Sequence, residues 1–149
     1  MPTLLAELLD PHKRSDHLYG VADVEEPWHL YEIDLAAGDW AGAADNGVAL
    51  QWRADTHLLK YELWDGPPPP LTTWDATWSG SVRMGCGRVS ALSGHGGGVF
   101  SGAEFDLGRR EAVWQVRVHR KSLGHEEFTA ELVGCTVFKI QFWAAPPGR

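Results

Sequence analysis

The chain has 149 residues, of which 44% are hydrophobic and 22% are charged. This length suits one domain whose core is large enough to fold without a metal or a disulfide, and the composition excludes a wholly disordered chain. No apolar run approaches the about 20 residues that a membrane-spanning helix needs, and neither a collagen nor a coiled-coil period is present.

The net charge of −7 is unevenly distributed along the chain. Residues 1–66 contain 13 acidic and four basic side chains, a balance of −9, whereas residues 67–149 contain seven acidic and nine basic ones, a balance of +2. A negative field repels phosphate, so we expect no nucleic-acid partner, and it favours a cationic protein partner. Acidity also serves solubility alone, which is the simpler interpretation.

The N-terminal segment is predicted to be helical. Four leucines recur at helical spacing before Pro11, namely Leu4, Leu5, Leu8 and Leu9. This pattern predicts a short amphipathic helix over 3–10, which should pack on the domain or on a partner because so short a helix is marginal alone. The segment lacks a basic start followed by a long apolar core, so we expect no signal peptide, no membrane association and a cytoplasmic protein. We therefore divide the chain into a helical extension, 1–16, and a single domain, 17–149.

After residue 16 the apolar pattern changes to a period of two, which is typical of strands with one buried and one wet face. The clearest alternation predicts strands over 28–35, 48–53, 57–63, 113–119 and 138–142. Weaker patterns predict strands near 17–23, 74–84, 87–92 and 99–107. The strand over 57–63 should bury Leu59, Tyr61 and Leu63. Its Lys60 and Glu62 should face water.

Turn-forming residues separate these strands. Asp45-Asn46-Gly47 and Asp65-Gly66 favour tight turns, and Pro67–Pro70 should form an extended surface link because proline cannot pair in a central strand. Eight or nine short strands with such turns predict an all-β fold, an antiparallel β-sandwich. A closed β-barrel is the alternative.

No catalytic or metal-binding constellation is found in the sequence. Cys86 and Cys135 lie in neither a CxxC nor a metal-spaced pair, so buried free thiols are expected and a disulfide between them stays open. His57 and His119 lie on predicted strands and could approach one another, but such histidines are more often structural than ligating. We therefore expect a non-enzymatic protein with no catalytic residue, no metal and no cofactor.

Tryptophan side chains are a second candidate for a binding site. Trp74 and Trp78 could share one face of a strand and stack on a sugar, although tryptophan more often fills a core. A small-molecule or carbohydrate-binding module is therefore an alternative to a protein-binding domain. A structural subunit of unknown partner is a further alternative.

Two short segments carry a family resemblance. The sequence GDWAGAADNGVAL over 38–50 resembles the corresponding loop of the competence protein J family. The sequence FDLG over 105–108, with the strand that follows it over 113–118, is similar to that family's pattern near its C-terminal end, and the closing strand over 138–143 fits the same layout. The resemblance covers 28–143 in layout. It implies a small bacterial β-sandwich whose best-known kind binds and inhibits a competence nuclease.

The resemblance and the negative charge together predict an inhibitor or immunity-type partner of a basic nuclease or toxin-like enzyme. The predicted partner-binding residues are Asp39, Trp40, Asp45, Glu25 and Glu26. Their carboxylates should face basic groups that normally hold phosphate, and Trp40 should supply a buried aromatic anchor. Complementary charge of this kind mainly raises the association rate and makes it salt-sensitive.

Overall fold

The computed structural model describes residues 2–10, 17–31, 33, 35, 39–51, 56–95, 98–123 and 135–145. In these residues the backbone forms one 3-10 helix, Trp28–Tyr31, and eleven strands. The strands are β1 (Leu4–Leu9), β2 (His17–Asp23), β3 (Ala41–Ala44), β4 (Gly47–Leu50), β5 (Thr56–Trp64), β6 (Ala76–Met84), β7 (Arg88–His95), β8 (Gly98–Ser101), β9 (Phe105–Asp106), β10 (Ala112–Leu123) and β11 (Cys135–Ala144). Within the described part of the chain, no helix has the length and apolarity to span a membrane.

The strands form two sheets that pack face to face. Sheet A has the order β1-β5-β11-β10-β6, and sheet B has the order β3-β4-β2-β7-β8 with β9 paired to β7. Alternate side chains of both sheets meet in one core, with Val21 and Val48 from sheet B packed among Val116, Ile140 and their neighbours from sheet A. The predicted β-sandwich is confirmed, and neither sheet closes into a barrel among the described strands.

One strand pair departs from the predicted antiparallel pattern. β5 and β11 pair in parallel, whereas β10 is antiparallel to both β11 and β6. β5 and β6 therefore run in the same direction, and the chain between them must return along the whole length of the sheet, as parallel strands require. Residues 65–75 make this return, and we call them the strap. The predicted link Pro67–Pro70 lies within the strap.

The predicted helix over 3–10 is wrong, because Leu4–Leu9 forms the edge strand β1. β1 pairs with β5 in an antiparallel register that places Leu8 opposite Tyr61 and Leu9 opposite Lys60. Ala6 and Leu8 pack against the main core. Pairing with an existing sheet satisfies the backbone of a six-residue segment that is too short to be stable as a helix.

The predicted strand over 28–35 is also not formed. Trp28–Tyr31 is a 3-10 helix, in which the Leu30 N–H donates to the Pro27 carbonyl, and Glu32 and Asp34 lie outside the described residues. Leu30, Ile33 and Leu35 pack on the outer face of sheet B, together with Ala49. This cover explains why all four residues of β4 are buried, where alternation predicted one wet face.

Candidate functional site

The two ends of the sandwich differ in the residues they carry. At one end lie the turn over 84–88 between β6 and β7 and the turn at Asp45–Asn46 between β3 and β4, and we call this the turn end. β3 begins at the opposite end, where Trp40 precedes it. The predicted loop over 38–47 therefore contains the strand β3. Asp39 precedes this strand and Asp45 follows it, so the two residues lie about 16 Å or more apart along the strand direction.

Three of the predicted partner-binding residues come together at the turn end. Glu25, Glu26 and Asp45 are all exposed. The buried side chain of Asn46, the residue after Asp45, links Glu26 to the β6–β7 turn, because its Nδ2 donates to Glu26 at 2.8 Å and its Oδ1 accepts the Gly85 N–H at 2.8 Å. Asn46 has a φ of 61°, a left-handed conformation that asparagine tolerates better than most residues. Glu26 is thus held beside the β3–β4 turn.

Asp23 fixes the same end from beneath. Its side chain is fully buried, and its carboxylate accepts the N–H groups of Cys86 at 2.7 Å, Gly87 at 3.1 Å and Glu25 at 3.0 Å. Burial alone raises the pKa of this carboxyl, but the hydrogen bonds from Cys86, Glu25 and Gly87 outweigh it and hold the pKa below the ordinary value of 3.8. An ionised Asp23 therefore ties the end of β2 to the β6–β7 turn.

Arginines are interspersed with the exposed carboxylates of the turn end. Arg110 approaches Glu25 at 3.4 Å, and Arg83 pairs with Glu111. Glu26 and Asp45 add negative charge beside these pairs. The 3-10 helix that follows Glu26 presents Trp28, which is 52% exposed. The surface combines carboxylates with an aromatic ring.

The other two predicted partner-binding residues lie at the opposite end. Asp39 is exposed, but Trp40 is half-buried and packs against the core. The indole stacks on Phe138 with ring centroids 6.3 Å apart, and the Arg120 guanidinium lies 4.8 Å from its ring centroid. Trp40 therefore closes the sandwich between its two sheets, and the five predicted residues do not form one patch.

Three potential metal ligands also meet at the turn end. The ligand atoms of Asp23, Glu25 and Cys86 all lie within 4.8 Å of one another. Both Asp23 oxygens already accept backbone N–H groups, and Glu25 pairs with Arg110. Cys86 is a free, buried thiol, as predicted, and burial raises its pKa, which disfavours the thiolate that a metal would need. We interpret this cluster as a structural joint. The side chain of Cys135 lies outside the described residues.

A second polar cluster lies on the outer face of sheet A and was not predicted. Thr77, His119, Gln141 and Glu62 form a chain of hydrogen bonds across four neighbouring strands, with donor–acceptor distances of 3.0, 2.8 and 2.8 Å. The predicted exposure of Glu62 is wrong, since only 4% of this residue is accessible. Trp64 Nε1 donates to the Glu62 carboxylate, and Lys60 and Lys139 lie 3.1 and 3.7 Å from it.

The strap explains why Glu62, His119 and Gln141 are buried on an outer face. Trp74 lies against His119 and under the Lys139 ammonium, with centroid distances of 5.9 and 5.4 Å. Arg117 donates to the Pro68 carbonyl and Lys121 to the Thr73 carbonyl, which anchors the strap along its length. Strand alternation alone does not reveal this cover, because it depends on the direction in which β5 and β6 run.

Hydrogen bonding fixes the protonation pattern of the cluster. Gln141 Nε2 donates to Glu62, so its Oε1 accepts from His119 Nε2, and His119 Nδ1 accepts the Thr77 hydroxyl proton. Burial, together with the Arg117 and Lys139 charges, lowers the pKa of His119 below its ordinary value of 6.5. Burial acts to raise the pKa of Glu62, but hydrogen bonds from Gln141, Trp64 and Lys60 hold it below 4.5.

These shifts predict acid sensitivity. As the pH falls through 6.5, the unfolded chain protonates His119 while the folded chain resists, so the free energy of unfolding should decrease. Glu62 and Asp23 should add a further loss as the pH falls through 4.5 and 3.8. Urea unfolding at stepped pH measures this, and a His119→Gln variant should be less pH-dependent between pH 7 and 5 than the parent chain. An identical dependence in both chains would contradict the assignment.

Two pairings that the sequence left open are not formed. His57 shares the core side of β5 with Leu59 and Tyr61, whereas His119 lies on the outer face of sheet A, so the two histidines are on opposite sides of one sheet. Trp78 packs against the core, whereas Trp74 lies on the outer face beside His119. Trp74 and Trp78 therefore do not form the shared platform that sugar stacking requires.

Comparison with known proteins gives a likeness of fold. No family model matches the chain, and no curated protein sequence matches it. The crystal structure of ComJ, inhibitor of the DNA degrading activity of NucA, from Bacillus subtilis, is similar over 97% of this chain and 99% of that chain, with a TM-score of 0.56 and 10% identity. A structure described as crocagin biosynthetic gene J covers 98% and 99%, with a TM-score of 0.48 and 16% identity. The chain has the fold of ComJ, which confirms at the level of fold the resemblance predicted from residues 38–50 and 105–118.

Proposed function

We propose that this chain is a non-enzymatic inhibitor that binds a basic nuclease or toxin-like enzyme and occludes it. The observation that carries this proposal is the likeness in fold, over nearly the whole of both chains, to ComJ, a protein described as an inhibitor of a DNA-degrading activity. The net charge of −7 supports the same partner class, since nucleases that bind phosphate present basic surfaces.

We place the partner-binding surface at the turn end. Glu26 and Asp45 are exposed carboxylates held beside one buried asparagine, and Trp28 projects next to them. Interfaces commonly take their binding energy from a central aromatic side chain within a polar rim. Trp28 supplies this aromatic side chain in our proposal, in place of Trp40.

Trp40 is a poor anchor because its ring is already engaged. Phe138 packs on one side of it, and the Arg120 guanidinium lies 4.8 Å from its centroid. This cation also offsets the negative charge that Asp39 brings to that end. The two ends of the sandwich can therefore be distinguished by matched charge reversals.

Asp45→Lys should slow association with a nuclease captured from the source cell by about three- to tenfold at low salt. It should leave dissociation nearly unchanged, because a charge at the rim of an interface acts mainly by steering the encounter. Asp39→Lys is the matched control, since it makes the same charge change on an exposed aspartate at the opposite end. Surface plasmon resonance at stepped salt concentrations measures both rates. Equal slowing by the two variants would indicate a global charge effect, and slowing by Asp39→Lys alone would move the surface to the other end.

A further inference from the structure

β1 is an edge strand with an unusually apolar exposed side. Among the described strands it has a neighbour on one side only, β5. Leu4, Leu5 and Leu9 are 37%, 59% and 53% exposed, while Ala6 and Leu8 pack against the core. β6, at the other edge of sheet A, exposes Thr77, Ser79, Ser81 and Arg83 instead.

The backbone of β1 directs alternate groups away from β5, and no other described strand pairs with them. The Asp10 N–H donates to the Leu59 carbonyl, and Leu8 lies opposite Tyr61 in the same register. Antiparallel strands alternate between residues that bond to the neighbour and residues whose N–H and C=O point away from it. Glu7 and Leu9 therefore direct their backbone groups away from β5.

Such an edge is ordinarily protected. Proteins shield edge strands with charge, proline, bulges or a covering segment, because an exposed apolar edge pairs with other chains. β1 has one charged residue, Glu7, and an irregular register between Leu4 and Ala6, but its outward side chains on either side of Glu7 are leucines. This combination favours pairing with another strand over solvent exposure.

We propose that β1 pairs with β1 of a second copy of this chain, in an antiparallel arrangement centred on Glu7. The segment Leu5–Leu9 (LAELL) is nearly symmetric about Glu7, so this register places Leu5 opposite Leu9 and Ala6 opposite Leu8 of the other copy. Leu5 and Leu9, which lie on the same face of β1 as Glu7, thereby each gain an apolar cross-strand neighbour, and the two sheets A become one continuous sheet.

The charge at the centre of this pairing is balanced. Two Glu7 side chains meet across the symmetry axis, and like charges directly opposite one another are unfavourable. The Lys60 ammonium lies 3.1 Å from the Glu7 carboxylate in each chain. Lys60 also lies 3.1 Å from Glu62, which has Lys139 as a second cationic neighbour. Each copy therefore brings two lysines and two glutamates to this region, which makes a second copy of this chain an electrostatically acceptable partner.

Sedimentation velocity on the full chain tests the proposal. At micromolar protein concentrations the parent chain should sediment as a dimer, with twice its chain mass of 16.4 kDa. Leu9→Pro should convert it to a monomer, because it removes an outward N–H while leaving the bonds to β5 in place. Leu9→Lys and its control Val113→Lys make the same kind of change on one sheet. Val113 is 47% exposed but lies on β10, away from β1. Only Leu9→Lys should therefore raise the dissociation constant of the dimer, by at least tenfold.

Cross-linking tests the register. Glu7→Cys should form an intermolecular disulfide under mild oxidation, and the parent chain, which already carries Cys86 and Cys135, is the control for other thiols. Far-UV circular dichroism of each variant establishes that it is folded. A folded parent chain that stays monomeric would overturn the proposal, as would a dimer that Leu9→Pro leaves intact and that Glu7→Cys fails to cross-link.

Discussion

Asp23→Ala should lower the free energy of unfolding by about 3–5 kcal/mol, the largest effect that we expect from a polar substitution in this chain. The carboxylate accepts three backbone N–H groups, from Glu25, Cys86 and Gly87, and the last two hydrogen bonds are buried. Alanine leaves these donors without an acceptor in a place that water does not reach. Urea unfolding at pH 7 measures the loss.

Asp106→Ala is the matched control. Asp106 also accepts a backbone N–H, from Gly108 at 2.8 Å, but this hydrogen bond is exposed and water can replace it. We expect the control to cost less than about 1 kcal/mol. If Asp23→Ala cost no more than the control, Asp23 would not hold the turn end together, and the position of Glu25 there would need another explanation.

Gln141→Leu should lower the free energy of unfolding by about 2–4 kcal/mol. Gln141 is buried between His119 and Glu62, and it both accepts from the histidine and donates to the carboxylate. Leucine fills a similar volume but leaves the His119 N–H without an acceptor and removes one donor from a buried carboxylate. The pKa of His119 should also change, which histidine NMR titration measures.

Gln115→Leu provides the comparison on the same face of sheet A. Gln115 donates to the Ser81 hydroxyl at 2.9 Å, but this pair is exposed. The control should therefore change stability by less than about 0.5 kcal/mol. Equal losses in the two variants would show that burial beneath the strap contributes nothing to the polar cluster.

The β-sandwich could be predicted because apolar and polar residues alternate along the strands that form its core. Val116 and Val118, like Phe138 and Ile140, recur every second residue and are fully buried in the structure. Spacing does not distinguish helix from strand at Leu4–Leu9, since leucines at 4, 5, 8 and 9 fit one face of a helix and also fit an edge strand. The shortness of the segment favours the strand, because the backbone of six residues is stabilised more by pairing with β5 than by about one and a half turns of helix.

The polar cluster beneath the strap could not be predicted from local pattern. Glu62 and His119 alternate with apolar neighbours, which indicates solvent exposure when a strand is considered alone. Their burial follows from the parallel pairing of β5 with β11 and from the return of the strap over the sheet, and both features are long-range.

The predicted partner-binding residues were likewise brought together only in part. Asp45 and Glu26 are neighbours through Asn46, whereas β3 separates Asp39 from them.

DNA degradation by the natural partner is the most direct measure of the proposed function. Tagged chain is used to capture partners from the source cell, each captured protein is tested for degradation of plasmid DNA, and the purified chain is then titrated into the reaction. We expect a captured nuclease whose activity falls to background at a stoichiometric amount of the chain, with Asp45→Lys requiring more protein than Asp39→Lys. Full nuclease activity in the presence of excess folded chain, or the absence of any DNA-degrading protein among those captured, would contradict the account.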